Sequence, residues 1–438
     1  MAAITAHDNR QIMKQPVIDV GILTADKIVV VFRGDFIKVP GSERVTGEVT
    51  FSAEKFKSDV RFKPSDPESC EFEIRNVVIG KGFHWERRED QAFKGSLKII
   101  KEDDKITAVN SISVEEYLQS VISSEMSPES PMETLKAHAV VSRSWLLSQL
   151  ESKSKIELTS VVSHTKDELI MWFDRESHDN YDVCADDHCQ RYQGITKTYN
   201  KNASEAVTAT RGEVLMYEND VCDARYSKCC GGVTEDFENV WEEVPHPYLK
   251  SVPDLKESTT VADLSIEKNA VEWIKSSPPA WCNTQDKTLL SKALNDYDME
   301  TVDFFRWEVA YTAEKLCRII KRRIDVDFGE IEDLIPMERG KSGRIIKLKI
   351  VGTEKSLIIG KELFIRKALS ESHLYSSAFF VEKSEANGEK VFKITGAGWG
   401  HGVGLCQIGA AVMGSEGKSY AEILGHYYPD AQLEKVYK

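Results

Sequence analysis

One carboxylate interrupts an otherwise apolar helical face in the 438-residue chain. Ser113 and Glu116 form a capping-box pattern that predicts the start of a helix. Positions 114, 117, 118, 121, 122 and 125 then share one face, and every member except Glu125 is apolar or aromatic. Burial raises a carboxyl pKa, and a partly protonated glutamate suits a general acid for glycosidic cleavage. Periodicity alone also allows Glu125 to mark the frayed helix end and point to water.

A second group of residues has the chemistry of a metal site. Two histidines and two cysteines lie on one loop-like stretch, namely His178, Cys184, His188 and Cys189. Thiolates and imidazoles at this density suit Zn²⁺. The spacing is not that of a zinc finger, because the stretch has no C-x₂-C pair. The alternative interpretation is a pair of buried thiols beside surface histidines.

Two glycine-bearing segments predict close approach of the backbone at a cleft wall. One is Cys229-Cys230-Gly231-Gly232, for which structural cysteines beside a turn are an equal interpretation. The other has glycine at every second position from 396 to 404 and ends in Cys406-Gln407. The chain has no dinucleotide fingerprint, no H-E-x-x-H and no G-x-S-x-G, so the common signatures of dehydrogenases, zinc proteases and serine hydrolases are missing.

The elements that must position these residues predict an α+β fold. It has a β-rich N-terminal part, a helical catalytic segment and a mixed α/β remainder that forms a cleft. A second capping box at Ser130 to Glu133 predicts the partner helix. The predicted units are an N-terminal tail (1–14), a β-rich domain (15–110), a catalytic segment with the helix pair and the Cys/His cluster (111–254), a charged helical insertion (255–340) and a C-terminal segment with the Gly-rich motif, packing with the catalytic segment (341–438).

Composition and charge exclude several classes of protein. The formal charge of −14 disfavours a nucleic-acid or anionic-membrane partner. Five of the nine cysteines fall between residues 184 and 230, which favours metal binding or reduced thiols over a disulfide framework. Met1 to Val20 lacks the apolar core of a signal peptide. The uncharged stretch from 394 to 415 is too rich in glycine for a spanning helix, so we expect no transmembrane segment.

Three stretches together resemble the SpoIID/LytB-domain (stage II sporulation protein D-like) family. The first runs from Val-Glu-Glu-Tyr-Leu at 114–118 through Ser-Ser-Glu-Met at 123–126 to Ser-Arg-Ser-Trp at 142–145. The second holds Cys-Gly-Gly at 230–232, Val-Trp at 240–241 and Pro-Tyr-Leu at 247–249. The third is Gly-Trp-Gly-His-Gly-Val-Gly-Leu-Cys-Gln at 398–407, continuing to His-Tyr-Tyr-Pro at 426–429. With weaker similarity between them, the resemblance covers roughly residues 15 to 438.

The resemblance implies a peptidoglycan lytic transglycosylase. Such enzymes cut between N-acetylmuramic acid and N-acetylglucosamine and leave a 1,6-anhydro end. The catalytic acid of the family's S-S-E-M segment matches Glu125. A structural Zn²⁺ is implied at His178, Cys184 and Cys189, with His188 as a rival ligand. Two positions depart from the family pattern: Ser227 replaces a frequent histidine, and Cys406 replaces the usual serine.

An oxocarbenium-like transition state needs hydrogen bonds, and the predicted substrate-binding residues are Arg143, His401 and Gln407. The expected partner is the glycan strand of peptidoglycan, and this substrate implies the cell envelope. Two other functions stay open. One is a non-catalytic wall-binding or amidase-enhancing protein, and the other is a zinc-dependent hydrolase of the stem peptide.

Overall fold

The computed structural model describes residues 14–80, 86–152, 162–172, 178–196, 198, 200–257, 259–295, 303–386 and 388–438. The predicted α+β class is confirmed, because helices alternate with several sheets over these ranges. All of the predicted N-terminal tail except Lys14 lies outside the described residues.

A large sheet forms the N-terminal part. Its first eight strands are β1 (Val17–Ala25), β2 (Lys27–Val39), β3 (Arg44–Ser52), β4 (Val60–Pro64), β5 (Glu71–Ile79), β6 (Arg87–Phe93), β7 (Ser96–Glu102) and β8 (Lys105–Ser113). Side chains alternate between the faces of a strand, and alternate residues such as Ile28, Val30 and Phe32 are buried. β7 and β8 pair antiparallel as a hairpin. The buried face of this sheet supports the helices that follow.

The helix that ends in the candidate catalytic residue starts directly after β8. α1 (Val114–Glu125) packs with α2 (Met132–Ser152) and α3 (Lys201–Ala209). The N–H of Glu116 donates to the Ser113 hydroxyl at 3.4 Å, as the capping pattern predicts. Tyr117, Leu118 and Val121 are fully buried in the core shared with the sheet. The sheet therefore fixes where α1 ends, and with it the position of Glu125.

Short strands carry the middle of the chain past these helices. They are β9 (Val162–His164), β10 (Glu168–Met171), β11 (Val183–Cys184), β12 (Glu213–Tyr217), β13 (Asp220–Val221) and β14 (Tyr226–Ser227). β11 pairs parallel with β1, with Cys184 opposite Gly21. It completes a sheet whose order is β11-β1-β8-β7-β4-β2-β5-β6, with β3 on β2.

The remaining elements form the second half of the fold. They are α4 (Glu267–Lys275), α5 (Lys287–Ala293), β15 (Arg306–Thr312), α6 (Ala313–Ile324), β16 (Ile331–Arg339), β17 (Ile345–Gly352), β18 (Ser356–Gly360), α7 (Glu362–Ala368), β19 (Phe379–Ala386), β20 (Glu389–Ala397), β21 (Leu405–Cys406), α8 (Gln407–Ser415), α9 (Tyr420–Tyr427) and β22 (Gln432–Lys435). Single 3₁₀ turns occupy Ala53–Lys55, Phe237–Asn239 and Pro247–Leu249. The strands form sheets in the orders β16-β17-β18-β10-β9, β15-β20-β19, β13-β12-β22 and β14-β21.

The segment from 255 to 340 is not purely helical, contrary to the expectation. It supplies β15 and β16 to two different sheets as well as the amphipathic α6. The charged residues that suggested helices also occupy the outward positions of these strands, for example Glu308 in β15. The alternation of buried and exposed residues that marks a strand was therefore difficult to recognise among so many charged residues.

The uncharged stretch near the C-terminal part folds as β20, a glycine-rich turn, β21 and α8. α8 has no polar face that marks it in the sequence, because its residues up to Met413 are buried. Across the described residues, no helix is long and apolar enough to cross a membrane.

Candidate active site and metal-ligand cluster

A cleft of 1220 Å³ lies at the junction of the large sheet, α1 and the C-terminal segments. It brings together six of the residues singled out in the sequence, namely Glu125, His178, Cys184, Cys189, His401 and Gln407. The rival ligand His188 also lines it. A carboxyl group, a thiol–imidazole cluster and a glycine-rich wall therefore face one space.

Glu125 is the last residue of α1, and its half-buried side chain enters the cleft. The backbone N–H of Arg191 donates to its Oε1 at 2.9 Å. The Tyr226 hydroxyl also contacts this carboxyl group. The pKa of Tyr226 is raised mainly by burial, then by the charge of Glu125, and to a smaller extent by this contact. Glu125 does mark the helix end, but two neighbouring segments hold it against the cleft instead of leaving it in open water.

Burial raises the pKa of Glu125 above its ordinary value. The charges around it act in opposite directions. Arg191 and Lys228 favour the carboxylate, and Asp187 disfavours it. The Asp187 carboxylate in turn contacts the Arg191 guanidinium, which reduces the influence of both. The net result is a carboxyl group that holds its proton at a higher pH than a solvated glutamate does.

The predicted metal ligands converge within the same cleft. One donor atom from each of His178, Cys184, His188 and Cys189 lies within 4.8 Å of the other three. The Cys189 Sγ is 3.5 Å from His178 Nε2 and 3.6 Å from His188 Nδ1. Contacts with the Cys189 thiol and both imidazoles hold the pKa of Cys184 well below its ordinary value, despite burial. Two imidazoles and two thiols match the donor set of a tetrahedral Zn²⁺ site.

The loop that carries these ligands is anchored to the large sheet. β11 places Cys184 beside Gly21 of β1. The Tyr181 ring covers Gly21 so closely that a Cβ there would lie 2.6 Å from it. The same ring stacks on His178 with centroids 4.8 Å apart. These contacts orient the ligand loop, and Arg191 continues the same segment to Glu125.

Aromatic rings and glycines form the opposite wall. Trp399 stacks on Tyr375 with centroids 4.3 Å apart, and both line the cleft. Gly402 and Gly404 have positive φ values of 79° and 70°. A Cβ on Gly404 would lie 2.0 Å from the Arg225 carbonyl oxygen, so only glycine lets this wall approach β14. The backbone approach predicted from the glycine spacing therefore brings the aromatic wall next to Tyr226.

His401 lies in this wall as a neutral imidazole. Burial, with the nearby Arg225, lowers the pKa of His401 well below its ordinary value. Its Nδ1 accepts the N–H of Val403 at 3.0 Å, and the ring bonds to the Tyr226 backbone. His401 thus connects the glycine-rich wall to the residue whose hydroxyl contacts Glu125.

Gln407 reaches the cleft from the start of α8. Its Nε2 lies 3.1 Å from Nε2 of His138, whose Nδ1 lies 3.2 Å from the Ser142 hydroxyl. Burial lowers the pKa of His138 to about 3, so this imidazole stays neutral. The His138 ring packs against Tyr226 at 4.6 Å. The amide nitrogen of Gln407 is therefore engaged within the protein.

Arg143 does not reach the cleft. Its guanidinium is fully buried and forms a bidentate pair with Glu115, at 2.9 Å from Nε and 2.8 Å from Nη2. The Tyr437 hydroxyl donates to the same carboxylate at 2.6 Å. The Arg143 side chain points between α1, α3 and β12 rather than to the substrate space, so we assign it to the core and remove it from the candidate binding residues.

Several site residues were not singled out in the sequence. Tyr226, Lys228 and Arg191 surround Glu125, and Tyr375 and Trp399 supply the facing aromatic surface. Arg191 was detectable only as a neighbour of Cys189. Tyr226 and Lys228 flank Ser227, one of the two positions at which the sequence departs from the family pattern.

Comparisons with known proteins find two family matches along this chain. Residues 102–217 match the family model described as Stage II sporulation protein, and residues 235–404 match a Domain of unknown function (DUF8618). The first match contains Glu125 and the predicted metal ligands. Over residues 102–217 the chain is therefore similar to the stage II sporulation protein family, which confirms the resemblance identified from the motifs.

Three relatives illustrate the range of similar proteins. An uncharacterized protein of Brachyspira hyodysenteriae is 28% identical over 337 residues, covering 77% of this chain and 70% of that protein. Stage II sporulation protein D of Bacillus subtilis is 26% identical over 332 residues, covering 75% of this chain and 76% of that protein. Amidase enhancer of Bacillus subtilis is 25% identical over 254 residues, covering 56% of this chain and 34% of that protein.

Proposed function

We propose that this protein is a peptidoglycan lytic transglycosylase with Glu125 as its general acid and base. Kinship with stage II sporulation protein D and with an amidase enhancer supports a cell-wall-related role. The observation that carries the finer assignment is the half-buried Glu125 carboxyl with a raised pKa, facing a cleft large enough for sugars. A glycosidic bond needs such an acid to protonate its leaving oxygen.

The reaction uses one carboxyl group twice. Protonated Glu125 donates to the glycosidic oxygen, and the bond from that oxygen to the anomeric carbon of the muramic acid breaks. The muramic acid O6 then bonds to the anomeric carbon, and its proton passes to the Glu125 carboxylate. No water is consumed, so the second carboxylate of ordinary glycosidases is not required. Glu125 ends in its starting protonation state.

The surrounding groups position this acid. The N–H of Arg191 bonds one carboxyl oxygen of Glu125, and the Tyr226 hydroxyl contacts the same carboxyl group. His401 stabilises the backbone of Tyr226, and the Trp399–Tyr375 stack offers a flat surface to a sugar ring. We propose that His401 and Gln407 line the substrate path and that their bonds within the protein set its shape.

We propose a structural Zn²⁺ at His178, Cys184, His188 and Cys189. Bound there, zinc would cross-link the ligand loop and neutralise its thiolates. Four side-chain donors would complete a tetrahedral site without an open position, which disfavours the stem-peptide hydrolase. The ligand loop leads into Arg191, so its order determines how firmly Glu125 is held.

Mass analysis of digested peptidoglycan tests the function. Purified glycan strands incubated with the protein should release fragments about 18 Da lighter than hydrolysis products, because the anhydro end forms without water. Glycan fragments of hydrolytic mass would instead identify an ordinary glycosidase, and release of stem peptides from intact peptidoglycan would identify a peptide hydrolase. Intact strands, together with faster cleavage by an added amidase, would favour the second candidate function, which similarity to an amidase enhancer supports.

Replacing Lys228 with methionine is expected to move the alkaline limb of the kcat/KM–pH profile to higher pH. The Lys228 ammonium favours the carboxylate of Glu125, so its removal raises the Glu125 pKa further. The acid form of Glu125 then persists at higher pH, where donation to the glycosidic oxygen still occurs. Lys250→Met is a matched control, because Lys250 is exposed and pairs with Asp430. A limb that stays in place or moves to lower pH would contradict the role of Glu125.

Loss of the proposed zinc is expected to lower the thermal midpoint by roughly 3 °C. This figure assumes a contribution of about 2.7 kcal/mol at a hundredfold excess of metal over Kd and, for a chain of this length, about 1.1 °C per kcal/mol. Cys184→Ser should show the loss, whereas Cys317→Ser, on α6, should not. Substitution of Cd²⁺ should preserve both fold and activity if the metal is structural. A folded, inactive Cd²⁺ form would show that the metal takes part in the reaction.

A further inference from the structure

A second group of metal-ligating side chains lies behind the glycine-rich wall of the cleft. One donor atom from each of Cys230, Cys282, Cys406 and Asp254 lies within 4.8 Å of the other three. The first two residues are 2% exposed and the other two are fully buried. Two thiolates about 2.3 Å from one tetrahedral ion lie about 3.8 Å apart, so this spacing fits a single ion. The Cys230 and Cys282 sulfurs are 3.5 Å apart.

Backbone N–H groups donate to two of the three ligand sulfurs. The Cys406 Sγ accepts the N–H of Cys230 at 3.2 Å and the N–H of Gly409, at the start of α8, at 3.4 Å. The Cys230 Sγ accepts the N–H of Gly232 at 3.4 Å. Such bonds, and the N-terminus of a helix, stabilise thiolate over thiol. Thiolate is the form that binds a metal.

The Asp254 carboxylate of this cluster is also oriented by hydrogen bonds from residues that are not ligands. The Tyr427 hydroxyl donates to Asp254 Oδ1 at 2.8 Å, and His426 Nε2 lies 3.1 Å from the same oxygen. The other oxygen, Oδ2, faces the Cys230 sulfur at 3.2 Å. A ligating carboxylate held by a second layer of hydrogen bonds is typical of metal sites. A Cβ on Gly409 would lie 2.9 Å from this Oδ2, so glycine lets α8 approach the cluster.

Three thiolates, one carboxylate and a divalent ion would together carry a net charge of about −2. Two arginines lie near enough to offset this negative charge. The Arg306 guanidinium interacts favourably with the charges of Cys282, Cys229 and Cys230 and bonds the Gly231 carbonyl at 3.1 Å. The buried Arg344 bonds the Cys230 carbonyl at 3.1 Å. Buried charge is tolerated when it is paired in this way. The positive charges of these two guanidinium groups would therefore stabilise an anionic metal centre.

We propose that this cluster is a second, structural Zn²⁺ site held by Cys230, Cys282, Cys406 and Asp254. Sulfur-rich tetrahedral donors select Zn²⁺, and four protein ligands leave no position open for catalysis. The ion ties the insertion, through Cys282, to the two glycine-rich segments of the wall. It lies beneath Lys228, Trp399 and Gln407, which line the cleft, so it fixes the wall from behind. The ligand set and its geometry do not depend on which reaction takes place in the cleft.

Metal analysis of protein purified without added metal tests the proposal. Wild-type protein should carry two zinc ions per chain. Cys282→Ser and Cys184→Ser should each lose one, and the double variant should lose both. Cys222→Ser is the matched control, because Cys222 is equally buried and lies outside the cluster. It should keep two ions. Cys229 also contacts the Cys282 and Cys406 thiols, so loss of an ion in Cys229→Ser would place Cys229 among the ligands and overturn the proposed set.

Two further measurements, one on the wild-type chain and one on Cys184→Ser, cover the case in which Cys282→Ser does not fold. Cys282 and Cys406 should resist alkylation until a chelator releases the ion, as followed by mass spectrometry of their peptides. Co²⁺ loaded into Cys184→Ser should give tetrahedral thiolate-to-metal absorption, which places the thiolates on the metal. One zinc per chain with Cys282 alkylated without chelator, or a Cys230–Cys282 disulfide, would refute the second site.

Discussion

Glu125→Gln is expected to lower the rate of glycan cleavage by roughly a hundredfold or more, since the substitution removes an acid and base while keeping the side-chain volume. Glutamine can still accept the Arg191 N–H, so the helix end and the cleft should retain their geometry. The measurement is the initial rate of anhydro-product release, with the thermal midpoint recorded in parallel. Glu129→Gln is the matched control, because Glu129 is exposed on the loop after α1.

The stability of the same variant supplies an independent readout. The pKa of Glu125 is higher in the folded protein than in the unfolded chain. Protonated Glu125 therefore stabilises the wild-type fold fully at pH values below the unfolded pKa, and this stabilisation is lost as pH rises through the folded pKa. Glu125→Gln does not titrate there. Its thermal midpoint should therefore improve relative to wild type as pH rises above about 4.5. Near-wild-type cleavage by a folded Glu125→Gln protein would exclude Glu125 as the acid.

Arg143→Met is expected to reduce the free energy of unfolding by about 3–5 kcal/mol, because it leaves the Glu115 carboxylate buried without its bidentate partner. Urea denaturation of the two proteins measures this difference. The double variant Glu115→Gln/Arg143→Met should recover part of the loss, since no charge then remains buried.

The alternative role of Arg143 makes the opposite prediction. If the guanidinium contacted the glycan, Arg143→Met would raise KM and leave the urea midpoint unchanged. A structural arginine instead lowers the midpoint, and the folded fraction keeps its KM. The two roles are therefore separated by comparing KM with the denaturation midpoint in one variant.

Local signals account for what was predicted correctly. The cap at Ser113 and the apolar spacing of α1 depend on residues within one helix, so they predicted both the helix and the unusual place of Glu125. The metal ligands lie close together in sequence, and the structure brings them together. Whether they hold zinc stays a prediction.

Long-range partners account for the rest. Arg143 has a motif position that suggests substrate contact, but its burial depends on Glu115 in another helix and on α3 and β12. Cys282 joins Cys230 from 52 residues away, and Cys406 joins it from 176. No short-range pattern marks such pairs. The strands in the insertion were missed for a related reason, because their pairing partners lie outside it.

The contact between Tyr437 and Glu115 has a consequence for biosynthesis. The two residues are 322 positions apart. At about 5–20 residues per second, a ribosome needs roughly 16–64 s between them. Throughout that interval the Glu115 carboxylate can pair with Arg143 but lacks the hydroxyl donor of Tyr437. The amino-terminal half therefore emerges as an incompletely packed intermediate that has to avoid aggregation until the late segment arrives.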